Sequence, residues 1–141
     1  MASVIYHAYH QIRESGSVRL FRSHRPDYTD GGQLRDFIYV KDVVSVCANM
    51  LLTRKNPGIY NLGSGSARSF YDLAKAVFVA LNKTEAIEYI DMPEDLRERY
   101  QYYTCASMDK LKHAGYSIAF TSLEQGIHDY VTNYLEKDAY Y

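Results

Sequence analysis

Leu34-Arg35-Asp36-Phe37-Ile38-Tyr39-Val40-Lys41-Asp42-Val43 is the stretch on which the reading of this chain turns. An arginine and an aspartate open a short aromatic strand, expected over residues 36–40, whose side chains alternate between two faces. Asp42 then stands where an N-cap belongs, ahead of a helix expected to begin at Val43. An arginine held at a strand entrance can grip a phosphate through two parallel hydrogen bonds, which lysine cannot imitate.

On either side of this stretch, strands and helices alternate. Met1, Val4, Ile5, Ala8 and Ile12 recur at helical spacing, so residues 2–14 read as a helix stopped by Ser15-Gly16. A short strand over 18–21 leads into a polar loop with Pro26, Gly31 and Gly32. Past the central stretch, Val43, Val46, Cys47, Met50 and Leu51 make one apolar helix face. Asn56-Pro57-Gly58 then turns into a strand over 59–62. Ser69 and Asp72 form a capping pair for a helix with Phe70, Leu73, Ala74, Val77 and Leu81 inward. A strand over 87–90 follows, then an irregular segment to residue 107 and a short helix ending at Gly115. Ser122 and Gln125 open the last helix, with Leu123, Ile127, Tyr130, Val131 and Tyr134 as its buried stripe. The pattern predicts a mixed α/β fold in a single domain over residues 1–141.

Composition narrows the function. A domain of 141 residues buries roughly 68–70% of its unfolded surface. With 47% hydrophobic and 23% charged residues the chain reads as an ordinary globular domain. A net charge of −1 argues against a general binder of nucleic acid or membrane surfaces. Cys47 and Cys105 have no metal or redox spacing and read as reduced thiols of a cytosolic protein. No stretch approaches the ~20 apolar residues of a membrane span, and no signal peptide is read at the start. Fifteen tyrosines and no tryptophan supply apolar bodies with wet hydroxyls.

Two motifs imitate catalytic signatures. Gly63-Ser64-Gly65-Ser66-Ala67-Arg68 follows a strand and opens a helix, as a dinucleotide fingerprint does. Arg68 occupies the third glycine position, however, and no further βαβ unit follows, so no cofactor-binding residue is assigned. Tyr71 and Lys75 spell Y-x-x-x-K on one helix face, but Lys75 points to solvent, and the pair is read as chance.

Planar cations beside aromatic faces suit a nucleoside diphosphate. Arg19, Arg22, His24, Arg25 and Arg35 lie among Phe21, Tyr28, Phe37 and Tyr39. The competing reading is a solvated loop whose charges pair with Asp27, Asp30 and Asp36. Arg97, Arg99, Tyr100, Tyr102 and Tyr103 form a second such cluster, which either closes over the same nucleotide or caps the core edge. His7 flanks the apolar face of the first helix, while His10, His113 and His128 read as surface residues, and no two histidines have metal spacing. No nucleophile–base pair is evident, so no catalytic residue and no metal ligand are assigned.

Arg35 to Val43 resembles the "RDF-Y-V-D-V" signature of the extended short-chain dehydrogenase/reductases, the NAD(P)-dependent nucleotide-sugar epimerases and dehydratases. Met1-Ala2-Ser3-Val4, Gly58-Ile59-Tyr60-Asn61-Leu62-Gly63, Ile87-Glu88-Tyr89-Ile90, Arg99-Tyr100-Gln101 and Ala114-Gly115-Tyr116 also fall in the family's order. The first and fourth of these point to an epimerase branch that acts on a nucleotide-linked heptose. In such enzymes the signature lies in the C-terminal, substrate-binding half, so the resemblance implies a chain lacking most of the Rossmann domain. It makes Ile59 to Leu62 the orphaned last strand of the absent cofactor sheet. It further implies NADP in the complete enzyme and none bound by this chain, a nucleotide-sugar partner, a cytoplasmic isomerase and a homo-oligomer. The family's substrate contacts fall here on His7, Phe21, Arg22, Ser23, His24, Arg35 and Tyr100. Phe21-Arg22-Ser23-His24 departs from the Phe-Glu-Gly-Ser of many relatives, and the loop after it reads longer. A stand-alone nucleotide-binding or assembly module, or half of another nucleotide-sugar enzyme, are the alternatives.

Overall fold

The computed structural model describes residues 3–116 and 119–139. Helix α1 (Val4–Ser15) starts where the Ser3 hydroxyl accepts from the Tyr6 N–H at 3.1 Å, and stops at Gly16, whose φ of 77° favours glycine. Strand β1 (Val18–Phe21) follows, then the short strand β2 (Leu34–Arg35) and helix α2 (Val40–Thr53). Strand β3 (Arg68–Ser69) leads directly into helix α3 (Phe70–Ala80), and strand β4 (Ile87–Ile90) comes next. The short helices α4 (Glu94–Arg97) and α5 (Asp109–His113), helix α6 (Leu123–Tyr130) and a π-helical turn (Val131–Leu135) complete the described chain. The fold is mixed α/β, as the alternation predicts.

Two small sheets organise it. β1 and β4 pair in parallel, from Val18 opposite Ile87 to Phe21 opposite Ile90. β2 and β3 pair antiparallel, with Leu34 opposite Ser69 and Arg35 opposite Arg68. α3 is anchored by a complete capping box of Ser69 and Asp72, and α6 by one of Ser122 and Gln125. The main core lies between these helices, α1 and β1, where Ile12, Val18, Leu73, Val77, Phe78, Ile127 and Val131 are buried together. Val46, Met108, Leu111 and Tyr116 form a separate, smaller core.

Several expectations need correction around the central stretch. Residues 36–39 are not strand, because only Leu34 and Arg35 find a ladder partner in β3. The helix begins at Val40 with Tyr39 at its cap, and no side chain caps it. Asp42 lies inside the first turn, buried, and accepts from the N–H and hydroxyl of Thr121, each at 2.8 Å. It ties α2 to the segment ahead of α6 rather than starting a helix. On α2 only Asp42 and Val46 are buried, whereas Cys47 is exposed and Leu51 is 70% exposed. Residues 59–62 are not a strand either, since a strand needs a partner and the described residues offer none. On α1 the buried residues are Ala8, Tyr9 and Ile12, while Val4 is largely exposed and Met1 lies outside the described residues.

Val44, Leu51, Leu52 and Ile59, the last 89% exposed, leave a substantial apolar surface uncovered. We expect the chain to self-associate through it, and light scattering at rising concentration tests this. Val44→Glu together with Leu52→Glu should shift the chain toward monomer; an unmodified chain that stays monomeric at high concentration would contradict the expectation.

Asp129 joins α6 to the start of α2. Lys41 Nζ lies 2.8 Å from its carboxylate, the Tyr39 hydroxyl donates to it, and Asn133 Nδ2 donates at 2.8 Å. The Lys41 ammonium, with Tyr39 and Asn133, holds the Asp129 carboxyl well below the usual carboxylate range. A carboxylate depressed on folding stabilises above its unfolded value of about 4 and loses that contribution as pH falls through the lower folded value. Melting temperature should therefore fall steadily below about pH 4, and Asp129→Asn should flatten that acid limb. An acid limb of unchanged steepness in the variant would count against the clamp.

Candidate functional site

Arg35 owes its position to backbone pairing on both sides of β2. Beyond the β3 ladder, the Leu34 N–H donates to Tyr102 O at 2.8 Å and the Thr104 N–H donates to Leu34 O at 3.2 Å. The Arg35 guanidinium carbon then sits 5.3 Å from the Tyr100 ring centre and 5.6 Å from that of Phe70. Both distances fit cation–π contacts. Its Nη1 donates to Leu34 O at 2.8 Å. The ion pairs formed among the described residues run through other cations. Arg35 is thus held between two rings, and no carboxylate among the described residues neutralises its charge. Burial pushes the Tyr100 hydroxyl up, against the opposing effect of the Arg35 charge.

The ring system continues past Tyr100. Phe21 meets it edge-on at 6.1 Å, Tyr102 at 5.5 Å, and Tyr28 lies 5.1 Å from Tyr102. Arg25 sits over both Tyr28 and Tyr102, at 5.3 and 5.2 Å. Members of both cationic-aromatic clusters of the sequence therefore meet here, Phe21, Arg25, Tyr28 and Arg35 from the first and Tyr100 and Tyr102 from the second. Phe37 and Tyr39 do not belong to it: Phe37 packs on Phe70 and Tyr39 turns to Asp129. Arg19 is exposed on β1, and Arg97 donates to Met92 O at 2.9 Å.

The loop after β1 largely satisfies itself. Arg25 forms a two-pronged pair with Asp27, at 2.6 and 2.9 Å, so the structural reading holds for that arginine. Arg22 reaches Asp91 only loosely, at 3.5 Å, and half its side chain stays exposed. The Ser23 N–H donates to Asp30 and its hydroxyl to Arg25 O, each at 2.8 Å. The exposed His24 has its backbone pinned beside the rings, where its N–H donates to the Tyr102 hydroxyl at 3.0 Å. Gln33, 1% exposed, donates to Phe21 O at 3.3 Å and Arg22 O at 3.5 Å. It holds the loop from inside, a role that a glutamine in a polar loop does not advertise. Phe70 is the other residue missed, since its periodicity reads as core. His7 is exposed on α1 and its ring meets Tyr6 at 5.9 Å; no contact among the described residues ties it to Arg35 or Tyr100.

Asp36 faces away from Arg35 and fills the glycine-rich turn. Its Oδ1 accepts from the Ser64 N–H at 2.7 Å and the Ser64 hydroxyl at 2.5 Å. Its Oδ2 accepts from the N–H groups of Ala106 at 2.8 Å and Gly65 at 3.1 Å. Burial disfavours the charged carboxylate, but the Ser64 hydroxyl and these three N–H groups outweigh it and hold the group below the usual range. Amides that would cradle a cofactor phosphate are thus already spent on an internal anion. Arg68 pairs with Asp72 and Glu124, at 3.2 and 2.6 Å, over the start of the next helix. The turn does not fit a dinucleotide. The Glu85 carboxylate pushes the Tyr71 hydroxyl above its usual range, and Lys75 is exposed. Among the described residues no His, Cys, Asp and Glu side chains gather as metal ligands would. None of their helices is long and apolar enough to cross a membrane.

The profile of the NAD dependent epimerase/dehydratase family matches residues 1–63, which include the Arg35–Asp36 stretch. The ADP-L-glycero-D-manno-heptose-6-epimerase of Fusobacterium nucleatum is 49% identical over 147 residues, covering 100% of this chain and 44% of that protein. The enzyme of the same name from Nitratidesulfovibrio vulgaris (strain DP4) is 54% identical over 135 residues, covering 96% of this chain and 42% of that protein. This chain is similar, end to end, to the C-terminal half of these epimerases. It therefore spans less than half the length of the curated relatives it matches. The crystal structure of the Helicobacter pylori ADP-heptose epimerase superposes with a TM-score of 0.72 at 26% identity, over 94% of this chain and 38% of that one. A dTDP-glucose 4,6-dehydratase from Bacillus anthracis, at 20% identity and a TM-score of 0.74 over 96% of this chain and 40% of that one, shares the fold.

Proposed function

We propose that this chain is the nucleotide-sugar-binding part of an epimerase that inverts C6 of ADP-D-glycero-D-manno-heptose. The observation that carries the reading is Arg35, a fixed guanidinium between Phe70 and Tyr100 with no carboxylate partner among the described residues. Such a group offers a planar fork to a diphosphate, and the half-buried rings of Phe21 and Tyr100 offer faces to a base or sugar. Arg22, whose pair with Asp91 is long and exposed, can swing onto a second phosphate oxygen. Ser23 and His24 contribute the local backbone shape of the loop. His7 stands apart on the exposed face of α1, and its assignment rests on the resemblance alone.

In the complete protein NADP supplies the removal and return of hydride at C6. This chain's own residues bind and orient the nucleotide-sugar. The epimerised sugar then serves lipopolysaccharide core synthesis, in a cytoplasmic homo-oligomer. Mixed with NADP and ADP-heptose, the chain alone should give no epimer and no change in cofactor fluorescence, while binding ADP-heptose in a calorimetric titration. Turnover by the chain alone, or tighter binding of a UDP- or dTDP-sugar, would overturn the proposal.

A further inference from the structure

We propose that Asp36 is the positioning residue of this site: by occupying the Gly63–Gly65 turn as an internal anion, it fixes Arg35 between its two rings. The inference rests on the reading of Arg35 as a diphosphate anchor, and goes beyond it to what holds the anchor still.

Asp36 takes four donors from two separate segments, the turn at Ser64 and Gly65 and the extended backbone at Ala106. Each of these segments leads to one wall of the site. The turn runs through β3 into Phe70, and the segment ending at Ala106 begins with Tyr100 and Tyr102. One carboxylate, adjacent in sequence to Arg35, thus ties both walls to the residue they enclose. Its lone pairs are consumed in doing so, which leaves the neighbouring guanidinium free of it. Gly63 shows how tight the seat is. A Cβ there would collide with Asp36 Oδ2 and come within 2.6 Å of the Ala106 Cβ. Any side chain at 63 would displace the carboxylate, the turn or residue 106.

The test uses this chain, ADP as the probe, and NMR of its arginine Nε–H groups. In the parent, the Arg35 signal should be displaced by the ring currents of Phe70 and Tyr100. In Asp36→Asn and in Gly63→Ala that signal should move toward that of a free arginine, and ADP affinity should drop about tenfold. Asp129→Asn serves as a variant that loses stability elsewhere, and should leave both readouts in place. If Asp36→Asn fails to fold, Ser64→Ala removes a single side-chain donor and should shift the Arg35 signal part-way. A lowered melting temperature with the Arg35 signal and ADP affinity unchanged would overturn the proposal and reduce Asp36 to a brace. Were the parent to bind no ADP, the diphosphate reading would fail, while the Arg35 signal in the variants would still decide whether Asp36 positions it.

Discussion

Arg35→Lys should weaken ADP binding by roughly ten- to a hundredfold while leaving the melting temperature where it was. The substitution keeps the charge, so what it removes is the two-pronged geometry and the flat surface that lies against Tyr100 and Phe70. The effect is large because the group is held ready before the ligand arrives, and little ordering is left for binding to supply. A purely structural Arg35 would have paired with Asp36 or Asp42 at the corner between β2 and α2. Both carboxylates are engaged elsewhere, Asp36 with the glycine-rich turn and Asp42 with Thr121. Calorimetric titration of ADP alongside a thermal melt separates the two roles. A fall in stability with intact ADP affinity would make Arg35 structural after all.

Phe78→Ala should cost about 3–5 kcal/mol, the range for truncating a fully buried aromatic residue. Phe78 is 1% exposed in the main core, where α1, α3, β1 and α6 meet through Ile12, Leu73, Val77 and Ile127. Helices α1 and α6 belong to opposite ends of the chain, so a cavity at Phe78 loosens their common junction. Urea denaturation reads the loss directly, and a change below about 1 kcal/mol would show that the core repacks around the gap.

What was legible in the sequence is what local chemistry determines. The capping boxes at Ser69 and Ser122 declare themselves within four residues, and both form. The strands over 18–21 and 87–90 carry enough apolar periodicity to be seen before their partner is known, and they pair with each other. Leu34 and Arg35 make a strand only because Arg68 and Ser69 come alongside, and nothing nearby announces a partner so far down the chain. The same holds for Asp36. Read locally it opens a strand, whereas its role is set by Ser64, Gly65 and Ala106. Helical periodicity marked Cys47 and Leu51 as inward, because it reports which residues share a face and not whether anything covers that face. At the site, residue chemistry was enough to mark Arg35, Phe21 and Tyr100, which do come together. It could not tell that Arg25 would be claimed by Asp27, or that Phe70 would supply the second wall.

A nucleoside diphosphate docked on Arg35 and the rings around it would be held through both its phosphates and its base. Calorimetric titration of ADP into the unmodified chain, repeated with adenosine and with pyrophosphate, tests it most directly. ADP should bind saturably and one-to-one, more weakly as salt rises, with pyrophosphate competing and adenosine alone binding far more weakly. ADP that gives no saturable heat, or binds equally well to the Arg35→Lys chain, would contradict it.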